Sequence, residues 1–271
     1  MPEVPELLTL RHNLLTRFKG QKLTQFNIIW ERKLKFPKDQ IISAVIGAKL
    51  KGIERNGKTL ELHFDNKKTV GLHLMQSGRP YLIPAEGEVK WRIWEMTFEM
   101  GLGFGIQDWT GGTQLVLNPV KSSVPDVLTD SFTFDYVKSV FQKNKRMLVK
   151  PLLTNARYFR GLGNAYVDEI LWEAKVSPAS FAYLIPDSKI EELISAIESV
   201  LINAEKEIRE VTGPDALMIE KRDFMKVHNS KRKNDPDGYE IFTGQVAKAK
   251  TYWTANQVLY EPKLHLFGRA L

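Results

Sequence analysis

The period of the apolar residues changes near residue 125, and this change limits the folds open to the chain. Before it, KTLELHF alternates Leu60, Leu62 and Phe64 with polar residues, which is typical of a strand with one buried face. After it, apolar residues recur at helical spacing, as they do from Ile190 to Leu201. The polar stretch KSSVPDVLTD between them is typical of a linker. The pattern predicts an α+β protein.

Residues 1–125 are predicted to form a β-sandwich domain with one leading helix. Apolar residues at helical spacing predict that helix over 5–19, and Gly20 supplies a stop. Pro5 and Glu6 suit the first turn of this helix. The same explanation does not account for Pro2 and Glu3, which precede the predicted helix. The segments TVGLHLM, WRIWEMTFEM and GFGIQDW are rich in β-branched and aromatic residues and predict strands.

Residues 130–222 are predicted to form a helical domain. Thr133 can cap a first helix, 147–158 and 164–174 predict two more, and Asp187 can cap a long one.

Residues 223–271 predict a small β-hairpin unit. Two short strands are expected in HNSKRKNDPDGYEIF and GQVAKAKTYW. Because this unit is too short for a core of its own, we expect it to pack on the rest of the protein.

The net charge of +7 is concentrated at the end of the chain. Residues 221–271 contain ten basic and five acidic side chains, which suits either a nucleic-acid-binding end or a solubilising surface. The absence of cysteine excludes disulfides and thiolate metal sites. No apolar run is long enough to predict a membrane span, and no signal-peptide pattern begins the chain, so a cytoplasmic protein is expected.

The segment RGLGNAY can build an anion site. Gly161 and Gly163 allow a tight turn between two helices, and Asn164 follows at the start of the second. Free N–H groups and the positive end of the helix dipole at such a start suit a phosphate. The alternative is that Asn164 simply caps its helix.

Two motifs resemble those of one known family. LLTN…GLGNAYVDEILWEAKVSP closely resembles the helix–two-turns–helix signature of the formamidopyrimidine-DNA glycosylase / endonuclease VIII family, and PEVPELL resembles the N-terminus of that family. The motifs lie about 160 residues apart, in the family order. The resemblance implies a bifunctional DNA glycosylase and lyase that acts as a monomer on oxidised bases in double-stranded DNA, without a cofactor.

By this resemblance, Pro2 is the nucleophile and Glu3 its acid/base partner. Once Met1 is removed, the secondary amine of Pro2 can attack C1′ of the damaged nucleotide and give an iminium. An α-amino group titrates near ~8, against ~10.4 for lysine, so more of it is neutral at pH 7. If Met1 is retained, the Pro2 nitrogen is an amide and this chemistry is closed.

The resemblance also implies three residues that contact DNA or assist the chemistry. Lys58, before a strand, matches a lysine that contacts phosphate; the alternative is an exposed turn lysine. His73 in GLHLMQSGRP is a candidate phosphate contact, or a buried histidine with satisfied hydrogen bonds. Gln76 stands where a methionine is expected to fill the gap left by an extruded base, so a polar wedge is predicted.

Besides Gln76, the chain departs from the family pattern in two further places. DWTGGT, Asp108–Thr113, lacks the family's arginine and phenylalanine, and Trp109 is a candidate substitute by stacking. The four cysteines of the family's zinc finger are replaced. The residues at these positions are Asn234, Asp237, Thr254 and Gln257.

We therefore expect a zincless finger with no metal. Lys250 is the predicted replacement for the finger's phosphate-binding arginine, unless it and Lys248 merely face solvent. A weak metal site built on an aspartate and His228 is a minor alternative.

Two other functions remain open at this point. One is a family member that has lost turnover and only recognises damaged DNA. The other is an RNA-binding helix–two-turns–helix protein, for which the PEVPE motif has no purpose.

Overall fold

The computed structural model describes residues 1–213, 216–220 and 222–262 of an α+β protein. The chain forms two compact units, Met1–Ser123 with Leu201–Lys221, and Val124–Val200 with Arg222–Leu271. The finer division predicted from the sequence, at 1–125, 130–222 and 223–271, remains a prediction.

The first unit is built from two antiparallel sheets that contribute to one apolar core. Its elements are α1 (Val4–Phe18), β1 (Leu23–Ile28), α2 (Lys38–Val45), β2 (Leu50–Asn56), β3 (Thr59–Phe64), β4 (Thr69–His73), β5 (Arg79–Ile83), β6 (Arg92–Phe98), β7 (Gly103–Gln107) and β8 (Gln114–Leu117). The strand orders of the two sheets are β1-β6-β7-β5 and β2-β3-β4-β8.

The helix α2 corrects the prediction of a single leading helix. Ile41 and Val45, one turn apart, are its buried side chains. Two buried positions are too few to show a helical period, and its β-branched residues favour a strand by propensity.

The second unit is mainly helical and ends in a β-hairpin. Its elements are α3 (Phe134–Lys143), α4 (Val149–Leu153), α5 (Asn164–Glu173), a 3₁₀ turn (Ala182–Leu184), the first part of α6 (Asp187–Thr212), β9 (Ile241–Val246) and β10 (Ala249–Thr254). No helix in the described part of the chain has both the length and the apolar character needed to cross a bilayer.

Local signals predicted most of these helices, with two corrections. Thr133 caps α3, because its hydroxyl accepts the Tyr136 N–H at 3.2 Å. The helix predicted over 147–158 is much shorter, since the Asn155 side chain accepts the Arg157 N–H at 3.0 Å and forms a turn instead. Asp187 lies in the first turn of α6 rather than at its cap.

The hairpin packs on α5, as its small size predicted. Trp172 on α5 forms an apolar cluster with Val227 and Tyr252. The Trp172 indole N–H donates to the carboxylate of Asp235 at 2.7 Å. The hairpin therefore shares its core with the helices of its own unit.

A buried ion pair joins α4, α5 and β10. Lys150 and Asp168 are 1% and 0% exposed, with Nζ and Oδ1 2.6 Å apart. The ammonium also donates to Thr251 Oγ1 at 2.8 Å and to the Lys250 carbonyl at 3.0 Å. The other Asp168 oxygen accepts the Tyr252 N–H at 3.1 Å. Both charges are thereby well satisfied by hydrogen bonds.

Removing the charge of Asp168 should strongly destabilise the second unit. In Asp168→Asn the buried ammonium loses its counterion, which we expect to lower the free energy of unfolding by about 3–5 kcal/mol. Urea denaturation followed by circular dichroism measures the loss. The matched control is Glu192→Gln in the exposed Lys189–Glu192 pair, expected to cost about 0–1 kcal/mol. Equal losses in the two variants would contradict a structural role for the buried pair.

Candidate active site

Pro2 and Glu3 are buried at the start of α1. Glu3 is the N-cap, and its side chain accepts the Glu6 N–H. The Glu6 carboxylate in turn accepts the Glu3 N–H at 2.9 Å, which completes a capping box. The interpretation that capping stops short of Glu3 was therefore wrong. The sequence signal was a glutamate three residues before another glutamate. It was missed because helix caps are more often Ser, Thr, Asp or Asn.

The terminal amine lies close to a carboxylate that the sequence did not single out. The amine of Met1 is 3.8 Å from Glu220 Oε1, and Arg79 Nη2 is 2.7 Å from Glu220 Oε2. Glu220 is 217 residues from Glu3, so no local pattern connects them.

Lys58 lies in a tight hairpin turn that places it near His73. Thr59 pairs with Asn56 across the two-residue turn, where Gly57 has a φ of +64°. His73 lies opposite Thr59 on the neighbouring strand. Lys58 is half-buried, which differs from a fully exposed turn lysine.

His73 is arranged to remain neutral. Burial, and next the positive charge of Lys58, lower its pKa below the ordinary value of 6.5. The Met75 N–H donates to His73 Nδ1 at 3.0 Å. Because Nδ1 accepts this bond, the neutral ring carries its proton on Nε2, where it can donate to an oxygen such as that of a phosphate.

The turn that carries Gln76 is fixed to the DWTGGT loop through Asp108. Gln76 is exposed, and its neighbour Ser77 donates to Asp108 at 2.5 Å. Thr110 and Thr113 also donate to this carboxylate. Burial opposes the charge of Asp108, but these hydrogen bonds outweigh burial and hold its pKa well below the usual range. The missed signal was the pair of threonines, Thr110 and Thr113, that closely follows the aspartate.

In the second unit, Asn164 and Lys250 lie together. Gly163 is the N-cap of α5, so Asn164 occupies the first helical position and the capping interpretation is wrong. The Asn164 side chain donates to the Lys250 carbonyl at 2.8 Å. Asn164 thus links the helix start to the hairpin, in addition to any contact it makes with a ligand.

The side chain of Lys250, on β10, is exposed. Its ammonium lies 5.0 Å from the centre of the Tyr252 ring, a cation–π contact. Lys248 lies in the turn, where its φ is +70°. The two lysines therefore have different surroundings, and of the two only Lys250 lies within β10.

Hydrogen bonds involve all four positions at which the family pattern has cysteines. Asn234 donates to the Gly238 carbonyl, and Asp237 pairs with Lys175 at 2.9 Å. The remaining two positions are joined directly, because the Thr254 N–H donates to the side chain of Gln257 at 2.8 Å. His228 Nδ1 lies 2.8 Å from Asp168, whose other oxygen already accepts from Lys150.

Two family profiles match successive parts of the chain. The formamidopyrimidine-DNA glycosylase N-terminal domain matches residues 1–116, and the formamidopyrimidine-DNA glycosylase H2TH domain matches 124–212. A formamidopyrimidine-DNA glycosylase of Protochlamydia amoebophila is 32% identical over 212 residues, covering 74% of this chain and 75% of the relative. One of Carboxydothermus hydrogenoformans is 29% identical, covering 74% and 76%.

The chain belongs to the formamidopyrimidine-DNA glycosylase / endonuclease VIII family.

Solved structures of this family agree with the fold. The Lactococcus lactis protein bound to DNA containing an abasic site is 25% identical and has a TM-score of 0.80, over 93% of this chain and 98% of that one. The same protein bound to DNA containing an oxidised pyrimidine gives the same values. These relatives confirm the fold and the family predicted from the two motifs.

The titration of His73 tests its placement beside Lys58. In Lys58→Gln the histidine loses a nearby positive charge, so its pKa should rise toward 6.5 while remaining below it, because burial persists. NMR of the His73 ring protons during a pH titration measures the change. Lys51→Gln, at an exposed position of β2, is the control and should leave this pKa unchanged.

The same depressed pKa has a defined effect on stability. The unfolded chain binds a proton at His73 near pH 6.5 and the folded chain binds it only at lower pH, so the contribution of His73 to stability should fall as pH drops below 6.5. An unaltered His73 titration in Lys58→Gln would show that the two residues do not interact.

Proposed function

We propose that the protein is a DNA glycosylase that excises oxidised bases from double-stranded DNA and then cleaves the abasic site as a lyase. The observation that carries this proposal is the buried Pro2–Glu3 pair at the start of α1, in a chain of this family. Named relatives are DNA glycosylases, and the similar solved structures contain damaged DNA.

The chemistry begins when removal of Met1 frees the secondary amine of Pro2. Its lone pair forms a bond to C1′ of the nucleotide, and the base departs with the electrons of the glycosidic bond and takes a proton from water. The Glu3 carboxylate takes the proton of the bonded amine and passes it to the ring oxygen, the sugar opens, and the amine and C1′ become an iminium. Loss of a proton from C2′ expels the 3′ phosphate, and water finally releases Pro2.

The remaining residues hold the DNA in this proposal. Lys58 and the neutral His73 contact phosphates of the strand that carries the lesion, while Gln76 enters the space left by the extruded base. In the second unit, the start of α5 with Asn164 and the hairpin lysine Lys250 contact phosphates.

A second function is favoured by one observation. The DWTGGT loop lacks the family's arginine and phenylalanine, although Asp108 holds it in a defined shape. A protein with this loop could bind damaged DNA without turnover. Covalent trapping separates the two functions, because a binding-only protein forms no adduct.

Borohydride should trap the protein on duplex DNA containing an abasic site. Reduction converts the iminium into a stable amine, so the Met1-processed protein is expected to migrate as a protein–DNA adduct on a denaturing gel. A matched variant with lysine inserted between Met1 and Pro2 retains its methionine and should give none. Adduct formation by that variant would place the nucleophile elsewhere.

Glu3→Gln separates catalysis from helix capping. Gln can still accept the Glu6 N–H, so the melting temperature should change little, while base excision should fall by about 10²–10⁴-fold. A large loss of stability with unchanged excision would assign Glu3 to structure alone.

The two hairpin lysines should contribute differently to DNA binding. Lys250→Ala is expected to weaken binding to all damaged duplexes alike and to reduce the slope of log K against log salt by about 1, as for one lost phosphate contact. Lys248→Ala, in the exposed turn, is the control and should leave the slope unchanged. Fluorescence anisotropy over a salt series measures both. Equal slopes for both variants would remove the phosphate role from Lys250.

A further inference from the structure

Three of the six tryptophans lie on the surface of the first unit. Trp30, Trp91 and Trp109 are 43%, 64% and 70% exposed. An exposed indole does not contribute the stabilising free energy that its burial would give. Exposed apolar groups that cluster commonly mark binding surfaces. By contrast, Trp94 and Trp172 are 0% and 5% exposed and belong to cores.

Backbone hydrogen bonds and one close contact bring the three loops together. The Trp30 N–H donates to the Ile93 carbonyl at 3.0 Å, two residues beyond Trp91. The Trp91 carbonyl accepts the Asp108 N–H at 2.9 Å, next to Trp109. Each tryptophan therefore lies within two residues of a bond that joins its loop to another.

Gly111 completes this arrangement. Its φ is +61°, and a Cβ there would lie only 2.7 Å from the indole nitrogen of Trp30. The ring of Trp30 thus lies directly against the DWTGGT loop, in the space that a side chain would occupy. We call Trp30, Trp91 and Trp109 the tryptophan surface.

The segment that begins at Trp30 carries an excess of positive charge. Residues 30–35, WERKLK, carry three basic side chains and one acidic side chain, and Arg32, Lys33 and Lys35 are exposed. The acidic residue, Glu31, pairs with Lys38 at 2.7 Å. The segment that carries Trp91, residues 86–92, has two acidic and two basic side chains and therefore adds no net charge. Aromatic side chains next to an excess of positive charge fit a ligand with flat rings and a negative backbone.

We propose that the tryptophan surface binds unpaired DNA, with bases stacked on the indoles and phosphates near Arg32, Lys33 and Lys35. Every nucleobase has a flat face, so such stacking tolerates any sequence. In a duplex these faces are already stacked on one another, so the surface favours single strands over intact duplex. This site is separate in its residues from the proposed nucleophile and acid/base pair.

Binding to undamaged oligothymidylate tests the proposal. Trp91→Ala with Trp109→Ala should weaken this binding at least ~10-fold, since each stacked base contributes substantially. Binding to an undamaged duplex should change by less than about two-fold. The double replacement by phenylalanine keeps two aromatic rings and should retain most of the affinity. Anisotropy of labelled DNA at one fixed salt concentration measures all of these.

Met100→Ala is the matched control. Met100 is 71% exposed in the same unit, so its removal also deletes an exposed apolar side chain and should leave binding unchanged. Thermal melting checks that each variant is folded. Unchanged binding in the double alanine variant, or an equal loss on duplex and single strand, would overturn the proposal.

Self-association is the competing occupant of this surface. Sedimentation of the wild type and of the double alanine variant detects it. A dimer that becomes a monomer in the variant would also overturn the proposal. Covalent trapping on an abasic duplex depends on Pro2, so its failure and the failure of this proposal are distinguishable.

Discussion

The second unit depends on the charge of an almost fully buried lysine, Lys150. An ammonium has three donors, and those of Lys150 meet Asp168, Thr251 and the Lys250 carbonyl. Burying such a charge costs several kcal/mol unless its partners are well placed. Because those partners come from α5 and β10, the charge is satisfied only when helix and hairpin are assembled together. The position of Lys250, and with it the Asn164 contact, follows from this requirement.

Asp108 has a similar part in the first unit. Its two oxygens accept from hydroxyls and N–H groups of the Gln76 turn and of its own loop, so two exposed segments share one buried acceptor. Exposed side chains on separate turns usually move independently. Here the turn of Gln76 and the loop of Trp109 both hydrogen-bond to the Asp108 carboxylate. The two side chains can therefore bind one ligand without the entropy cost of first ordering their segments.

Local chemistry explains which features could be predicted from the sequence. The Thr133 cap, the helix after Asn164 and the final hairpin were predicted because their signals lie within a few residues. The extent of α4 was wrong because Asn155 offers the backbone an alternative turn. Lys150 could not be recognised, since its partners lie 18 and 101 residues away. The proximity of Lys58 to His73 requires the register of β3 with β4, which no single segment encodes.

Glu3 shows how one local feature can serve both structure and chemistry. As N-cap it lies at the positive end of α1, where a negative charge is stabilised. The capped start of the helix therefore holds a carboxylate immediately after the residue whose nitrogen is the proposed nucleophile. The capping box also fixes the backbone between them, so Pro2 has little freedom relative to the carboxylate. Helix capping and the proposed catalysis are therefore compatible at this position, because the bonds that begin the helix also place the proposed acid/base group.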